Sequence, residues 1–288
     1  MSGTYHRSVT QLVDTNGARI AYDVDGRGEA VLLIHAGIAN RSMWDGQVEA
    51  LRDAYRVIRH DTRGYGETET DAVSFSNRAD IAAVLDAAGE TFAHVVGLSR
   101  GGQIALDFAL EFPERVRSLV VAAGGVGGFE SSMGSDEETF AEPDQLMEAK
   151  DWDRLADWET DFWVEGPGLP RGRVDSATRA KVHDWILSNY LAEKEEGQPI
   201  VLDPPANLRL AELRAPLLVM YGTLDEPGTS DAMRHLAESV PGARVEVFEG
   251  AAHMLNLEQP ERFNQALRTF LDEHREHPKR GEPAYGRQ

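Results

Sequence analysis

The chain has 288 residues, 41% of them hydrophobic, which suits one large core with room for an insertion. Its 29 Lys and Arg stand against 49 Asp and Glu, a formal charge of −20 that argues against nucleic acid or an anionic membrane as partner. Cysteine is absent, which excludes disulfides, thiolate metal sites and a cysteine nucleophile. Met1 to Thr10 has no apolar run of the kind a secretory signal needs, and no stretch approaches the ~20 apolar residues that span a bilayer. The expectation is a soluble, cytoplasmic protein.

The first elements read as strands, Val9 to Asp14 and Arg19 to Val24, around the hairpin turn Thr15-Asn16-Gly17. After a second turn, Asp25-Gly26-Arg27-Gly28, the apolar run Ala30 to Ile34 has the character of a strand buried on both faces. Arg56 to His60 forms a further strand. Ile81, Val84, Leu85 and Ala88 mark one face of a helix that ends at Gly89. Val95-Val96 precede Gly97-Leu98-Ser99-Arg100-Gly101, and Ile104, Ala105, Phe108, Ala109 and Phe112 follow at helical spacing. Leu119 to Ala123 is another buried strand. Strand and helix resume with 217–221, 230–240 and 244–248, and Pro260 opens a last helix carrying Phe263, Leu267, Phe270 and Leu271. This alternation predicts an α/β fold with a mainly parallel central sheet and helices on both faces.

Between about 126 and 210 the pattern changes. Trp152, Trp158, Trp163 and Trp185 fall here, and Trp152, Leu155, Ala156, Glu159 and Phe162 follow helical spacing, as do Val182, Trp185, Ile186 and Asn189. No strand is expected before Pro199-Ile200-Val201-Leu202. The segment reads as a helical insertion over the C-terminal edge of the sheet, with the core formed by 1–125 and 211–275. Most of these tryptophans are expected to pack the insertion, and one or two to line a pocket. Ser135 to Asp144 reads as a solvated, mobile stretch, and 276–288 as a disordered tail. The run Gly124-Gly125-Val126-Gly127-Gly128 lacks the strand–turn–helix spacing of a dinucleotide fingerprint. His274 and His277 read as part of a solvated tail rather than as metal ligands.

The chemistry centres on Gly-x-Ser-x-Gly between strand and helix. That context lifts the Ser99 hydroxyl out of the sheet at a helix N-terminus, where free N–H groups can stabilise developing negative charge. An acyl-transferring serine also needs a base and an orienting acid. Asp225 follows the strand at 217–221, and His253 follows the strand at 244–248. The order Ser99, Asp225, His253 brings all three to one sheet edge. Glu226 is adjacent to Asp225, and Asp231 is expected to cap the following helix.

With these residues in view, the chain resembles the α/β-hydrolase family. The resemblance lies with its lid-bearing branch, which includes enol-lactonases, carboxylesterases, carbon–carbon bond hydrolases, epoxide hydrolases and haloalkane dehalogenases. It rests on His35-Ala36-Gly37, Asp61-x-Arg63-Gly64-x-Gly66, Gly97-Leu98-Ser99-Arg100-Gly101-Gly102, Asp225 and Gly250-x-x-His253-x-x-Asn256-x-Glu258-x-Pro260. The resemblance implies oxyanion donors at the backbone N–H of Gly37, with Ile38 as fallback, and of Arg100. Ala36 stands where the family usually has glycine. Ile38, Trp163 and Met254 are expected to contact substrate, and Asp61 and Arg63 to fix loops. In the dehalogenases and epoxide hydrolases of this branch the nucleophile is Asp, so Ser99 points away from both.

The expected function is hydrolysis of a small ester or lactone through an acyl-enzyme, without metal or cofactor, on a small-molecule substrate. A homodimer is left open. Competing readings are a carbon–carbon hydrolase of a vinylogous diketone, a ligand-binding receptor with slow turnover and, more weakly, a cofactor-free oxygenase. The Arg100 side chain either meets a surface acid or binds a substrate carboxylate.

Overall fold

Asn16 and Gly17 close a two-residue hairpin between β1 (Gln11–Thr15) and β2 (Ala18–Gly26), with Thr15 opposite Ala18. Gly17 has φ +65°, as such a loop requires. The structure, a computed structural model, describes residues 9–135 and 137–275. The expected tail at 276–288, with His277, lies outside the described residues.

Alternation of strand and helix then builds the core. In chain order come β3 (Glu29–Ile34), α1 (Asp45–Leu51), β4 (Tyr55–His60), the short β5 (Glu69–Thr70) and β6 (Ser74–Phe75), then α2 (Asn77–Ala87), β7 (Ala93–Leu98), α3 (Arg100–Glu111) and β8 (Val116–Ala122). After a helical stretch with α4 (Glu137–Glu148), α5 (Trp152–Thr160) and α6 (Ser176–Ala192), a two-residue β9 (Gln198–Pro199) pairs with β6. The chain closes with β10 (Leu217–Gly222), α7 (Pro227–Ser239), β11 (Arg244–Phe248), α8 (Leu255–Glu258) and α9 (Pro260–Glu273). The main sheet has nine strands among the described residues, in the order β1-β2-β4-β3-β7-β8-β10-β11 with β5 beside β2. Every pairing from β4 across to β11 is parallel, so these strands all end at one edge.

The period of two along each strand sorts side chains into two cores. Leu32, Ile34, Val95, Leu119, Val121 and Val219 join a cluster with Ile81 and Leu85 of α2, Phe108 of α3 and Leu236 of α7. Val31, Leu33, Val96, Val120, Leu218 and Met220 face the other way, onto Val48 of α1 and Phe263, Leu267 and Phe270 of α9. Because both faces are covered, the central strands read as unbroken apolar runs.

Four expectations need correction. Ser135 to Asp144 is not simply a mobile stretch: α4 begins at Glu137, and its Phe140 ring meets Trp158 and Phe162 at centroid distances of 6.1 and 5.6 Å. Only Gln198–Pro199 is strand where 199–202 was expected, and Ile200 and Val201 are exposed. Helix α7 starts at Pro227 rather than at 230, because the Glu226 side chain caps it by accepting from Thr229 N–H at 2.7 Å. Asp231 is therefore inside the helix, where it accepts a hydrogen bond from Ser131 at 2.6 Å.

Candidate active site

The turn between β7 and α3 is built by close backbone contacts. A Cβ on Gly97 would lie 2.0 Å from the Gly101 carbonyl oxygen, and one on Gly101 would lie 2.2 Å from that of Ile34. Both positions exclude any side chain. Between them Ser99 has φ 57° and ψ −124°, a conformation costly for a residue with a Cβ. Its N–H donates to Ala122 O at 2.9 Å, and its carbonyl accepts from Gly102 N–H at 2.8 Å. Arg100 opens α3, and the first N–H groups of a helix have no partner within it.

Asp225 follows β10 and His253 follows β11. His253 Nδ1 lies 2.9 and 3.0 Å from the two carboxylate oxygens of Asp225, and both side chains are almost wholly buried. A carboxylate oxygen accepts, so Nδ1 is the donor in this pair. Ser99 and His253 line one cavity of about 580 Å³. Trp163 lines it too, its ring centroid 4.6 Å from that of His253.

The other predicted residues divide. Gly37 and Ile38 line a second cavity of about 540 Å³ with Tyr65 and Trp152. Arg100 lies between the two: it lines the Ser99 cavity, and a Cβ on Gly37 would be 3.4 Å from Arg100 Cδ. Ala36 is buried, and its φ is not among the positive values found for Ser99, Ala123, Lys150 and Glu193, so alanine fits the turn without strain. Met254 does not line the Ser99 cavity as expected. It is fully buried in the second core cluster, and its N–H donates to Glu258 at 2.9 Å. Asp61 accepts from the N–H of Arg41 and of Glu67 at 2.8 Å each, and Arg63 grips Asp80 through two bonds at 2.8 and 2.9 Å. Both fasten loops. His35 donates from Nδ1 to Ala36 O at 2.7 Å and accepts at Nε2 from Thr62 N–H at 3.0 Å. Burial pushes its pKa down to about 3, so it stays neutral.

Other residues at the site were named in the sequence without the role they hold here, or, like Gln103 and Arg173, not named at all. The run Gly124 to Gly128 forms a wall of the Ser99 cavity, together with Gln103 and Glu226. Its position directly after β8 was the available signal. Glu258 Oε2 and Oε1 accept from Ala252 N–H and Met254 N–H at 2.8 and 2.9 Å, gripping the chain on both sides of His253. Burial raises its pKa, and Arg173 Nη2 pairs with it at 2.6 Å. The turn Asp161–Glu165 is a π-helix, a form often found at functional sites, and its Trp163 carbonyl accepts from His253 N–H at 3.2 Å.

A strained serine and a carboxylate-held imidazole thus line one cavity at the C-terminal edge of a parallel sheet covered by helices on both faces. A sequence model described as the alpha/beta hydrolase family matches residues 31–266, and the chain belongs to that family. It is 30% identical over 280 residues to a 2-hydroxy-6-oxononadienedioate/2-hydroxy-6-oxononatrienedioate hydrolase of Burkholderia vietnamiensis, covering 91% of this chain and 94% of that protein. It is 28% identical to carboxylesterase YbfK of Bacillus subtilis, covering 84% and 80%. In three dimensions it is similar to the enol-lactonase of Burkholderia xenovorans, with a TM-score of 0.72 at 22% identity, covering 91% of this chain and 100% of that one. The protein is thus a hydrolase of this family. Among its described residues no helix is long and apolar enough to cross a membrane.

Proposed function

We propose that the protein hydrolyses a small ester or lactone through an acyl-enzyme on Ser99. The observation that carries this is the His253–Asp225 bond beside a cavity that Ser99 shares. His253 Nε2 takes the Ser99 proton as Oγ bonds to the carbonyl carbon, and Asp225 holds the imidazolium. The N–H groups of Gly37 and Arg100 receive the oxyanion. Collapse breaks the bond to the leaving oxygen, which takes the proton from His253. Water then attacks the acyl carbon, with His253 accepting its proton, and the second collapse frees Ser99 and a carboxylic acid. Trp163 and Ile38 flank substrate, and 126–210 acts as a lid on a core of 1–125 and 211–275. The reading is of a cytoplasmic enzyme that needs no metal or cofactor.

A second reading, cleavage of a carbon–carbon bond in a vinylogous diketone, is favoured by the named relatives at 30 and 31% identity. Those relatives are named for dioates, which carry two carboxylates. In this chain Arg100, the cation beside Ser99, is already paired with Glu196, which favours the ester reading. Intact mass after a fluorophosphonate probe, followed by turnover of aryl esters, lactones and one dienoic diketone, tests both. The ester reading predicts one adduct at Ser99 and ester turnover well above diketone cleavage. Diketone cleavage with inert esters would overturn it.

A further inference from the structure

Arg100 lines the Ser99 cavity, and its side chain lies against Gly37 and pairs with Glu196, which both line the other. A carbonyl bound at Ser99, with its oxygen between the N–H groups of Gly37 and Arg100, lies within one side-chain length of the guanidinium. That guanidinium is occupied. Nη1 donates to Thr62 Oγ1 at 2.7 Å, Nη2 pairs with Glu196, and Cζ lies 5.0 Å over the Tyr65 ring. Glu196 is in the loop after α6 and its side chain is 41% exposed, so it is an acid brought from the helical segment to the site rather than part of the core. The charges around both cavities point the same way. The cations Arg100, Lys150 and Lys194 face the acids Glu159, Glu193, Glu196 and Glu226. Lys150 is itself paired to Glu193 at 2.8 Å.

We propose that Glu196 is a specificity-determining residue: it neutralises Arg100 and reserves the site for substrates without a carboxylate near the reacting carbonyl. A substrate acid must displace Glu196 to reach Arg100, and that costs affinity. This rests on the reading of Ser99 as the reacting centre. Glu196 touches neither Ser99 nor His253, so its removal changes preference without removing the machinery.

The test compares the full chain with Glu196→Gln on 4-nitrophenyl glutarate and on its methyl ester, which differ by one carboxylate. Wild type prefers the methyl ester. Glu196→Gln shifts the kcat/KM ratio toward the acid by about tenfold, the scale of one partly screened charge contact, with kcat on the methyl ester held. Adding Arg100→Gln cancels the shift, and salt shrinks it. An unchanged ratio in Glu196→Gln, or a shift that survives Arg100→Gln, overturns the proposal. If wild type turns over neither ester, the ester reading fails, and calorimetric binding of glutarate decides the charge filter by itself. Tighter binding by Glu196→Gln than by wild type supports it, and equal binding overturns it.

Discussion

The loop bearing Ser99 and the loop bearing His253 stand at the same sheet edge but are held by different forces. The serine turn is fixed by main-chain packing: glycines at 97 and 101 let backbone oxygens approach to distances no side chain permits. The histidine loop is fixed by polar side chains. Glu258 holds the N–H groups on both sides of His253, Arg173 pairs with Glu258 and donates to Gly250 O at 2.9 Å, and the Trp163 carbonyl accepts from His253 itself. Steric fixing is local and tolerates nothing. Polar fixing draws on the helical segment and can loosen by degrees. One loop is therefore part of the core, and the other couples the core to that segment.

Acid sharpens the contrast most, because it attacks the strands behind the serine turn. His35, His60 and His94 are buried on or just after the adjacent strands β3, β4 and β7. Burial pushes their pKa values down to about 3, 3 and 4. The unfolded chain binds these protons below its ordinary histidine pKa of about 6.5 and the folded chain does not, so stability is intact above that value and is lost as pH falls toward 3 to 4. Between pH 7 and 5 each histidine removes about 2 kcal/mol, about 6 kcal/mol together. Urea unfolding across that range checks the slope, and His94→Gln should flatten it by about a third. A flat profile would mean that these rings are protonated in the fold.

On the other loop, Arg173→Ala leaves the Glu258 carboxylate, only 2% exposed, without its cation. The expected loss is about 3 kcal/mol in urea unfolding, with kcat/KM down about tenfold as the imidazole loses its exact seat. Arg173→Lys should recover part of both. Wild-type kinetics in Arg173→Ala would show that the histidine loop, like the serine turn, holds itself.

This difference also explains what could be read from the chain. The central strands were legible because burial on both faces leaves no polar alternation, and the serine turn because its steric demands fall within five residues. Asp225 and His253 were legible through their places after strands. The α7 cap was misread because Glu226, a less favoured cap than Asp, does the work expected of Asp231. Helix α4 was hidden by its acids and by Pro143 within it; its order comes from Phe140 meeting rings of the next helix. Met254 flanks His253 in sequence but points into the core. The bonds from Arg173 to Glu258 and from Arg100 to Glu196 join residues 85 and 96 apart, and no local pattern announces such pairs.

The central claim is that Ser99 and His253 act as one unit. Turnover of an aryl ester by Ser99→Ala, by His253→Ala and by the double variant tests it most directly. Acting as one unit, each single change costs on the order of 10⁶-fold and the double change little more. Losses that multiply, or a His253→Ala enzyme near wild-type rate, would contradict it.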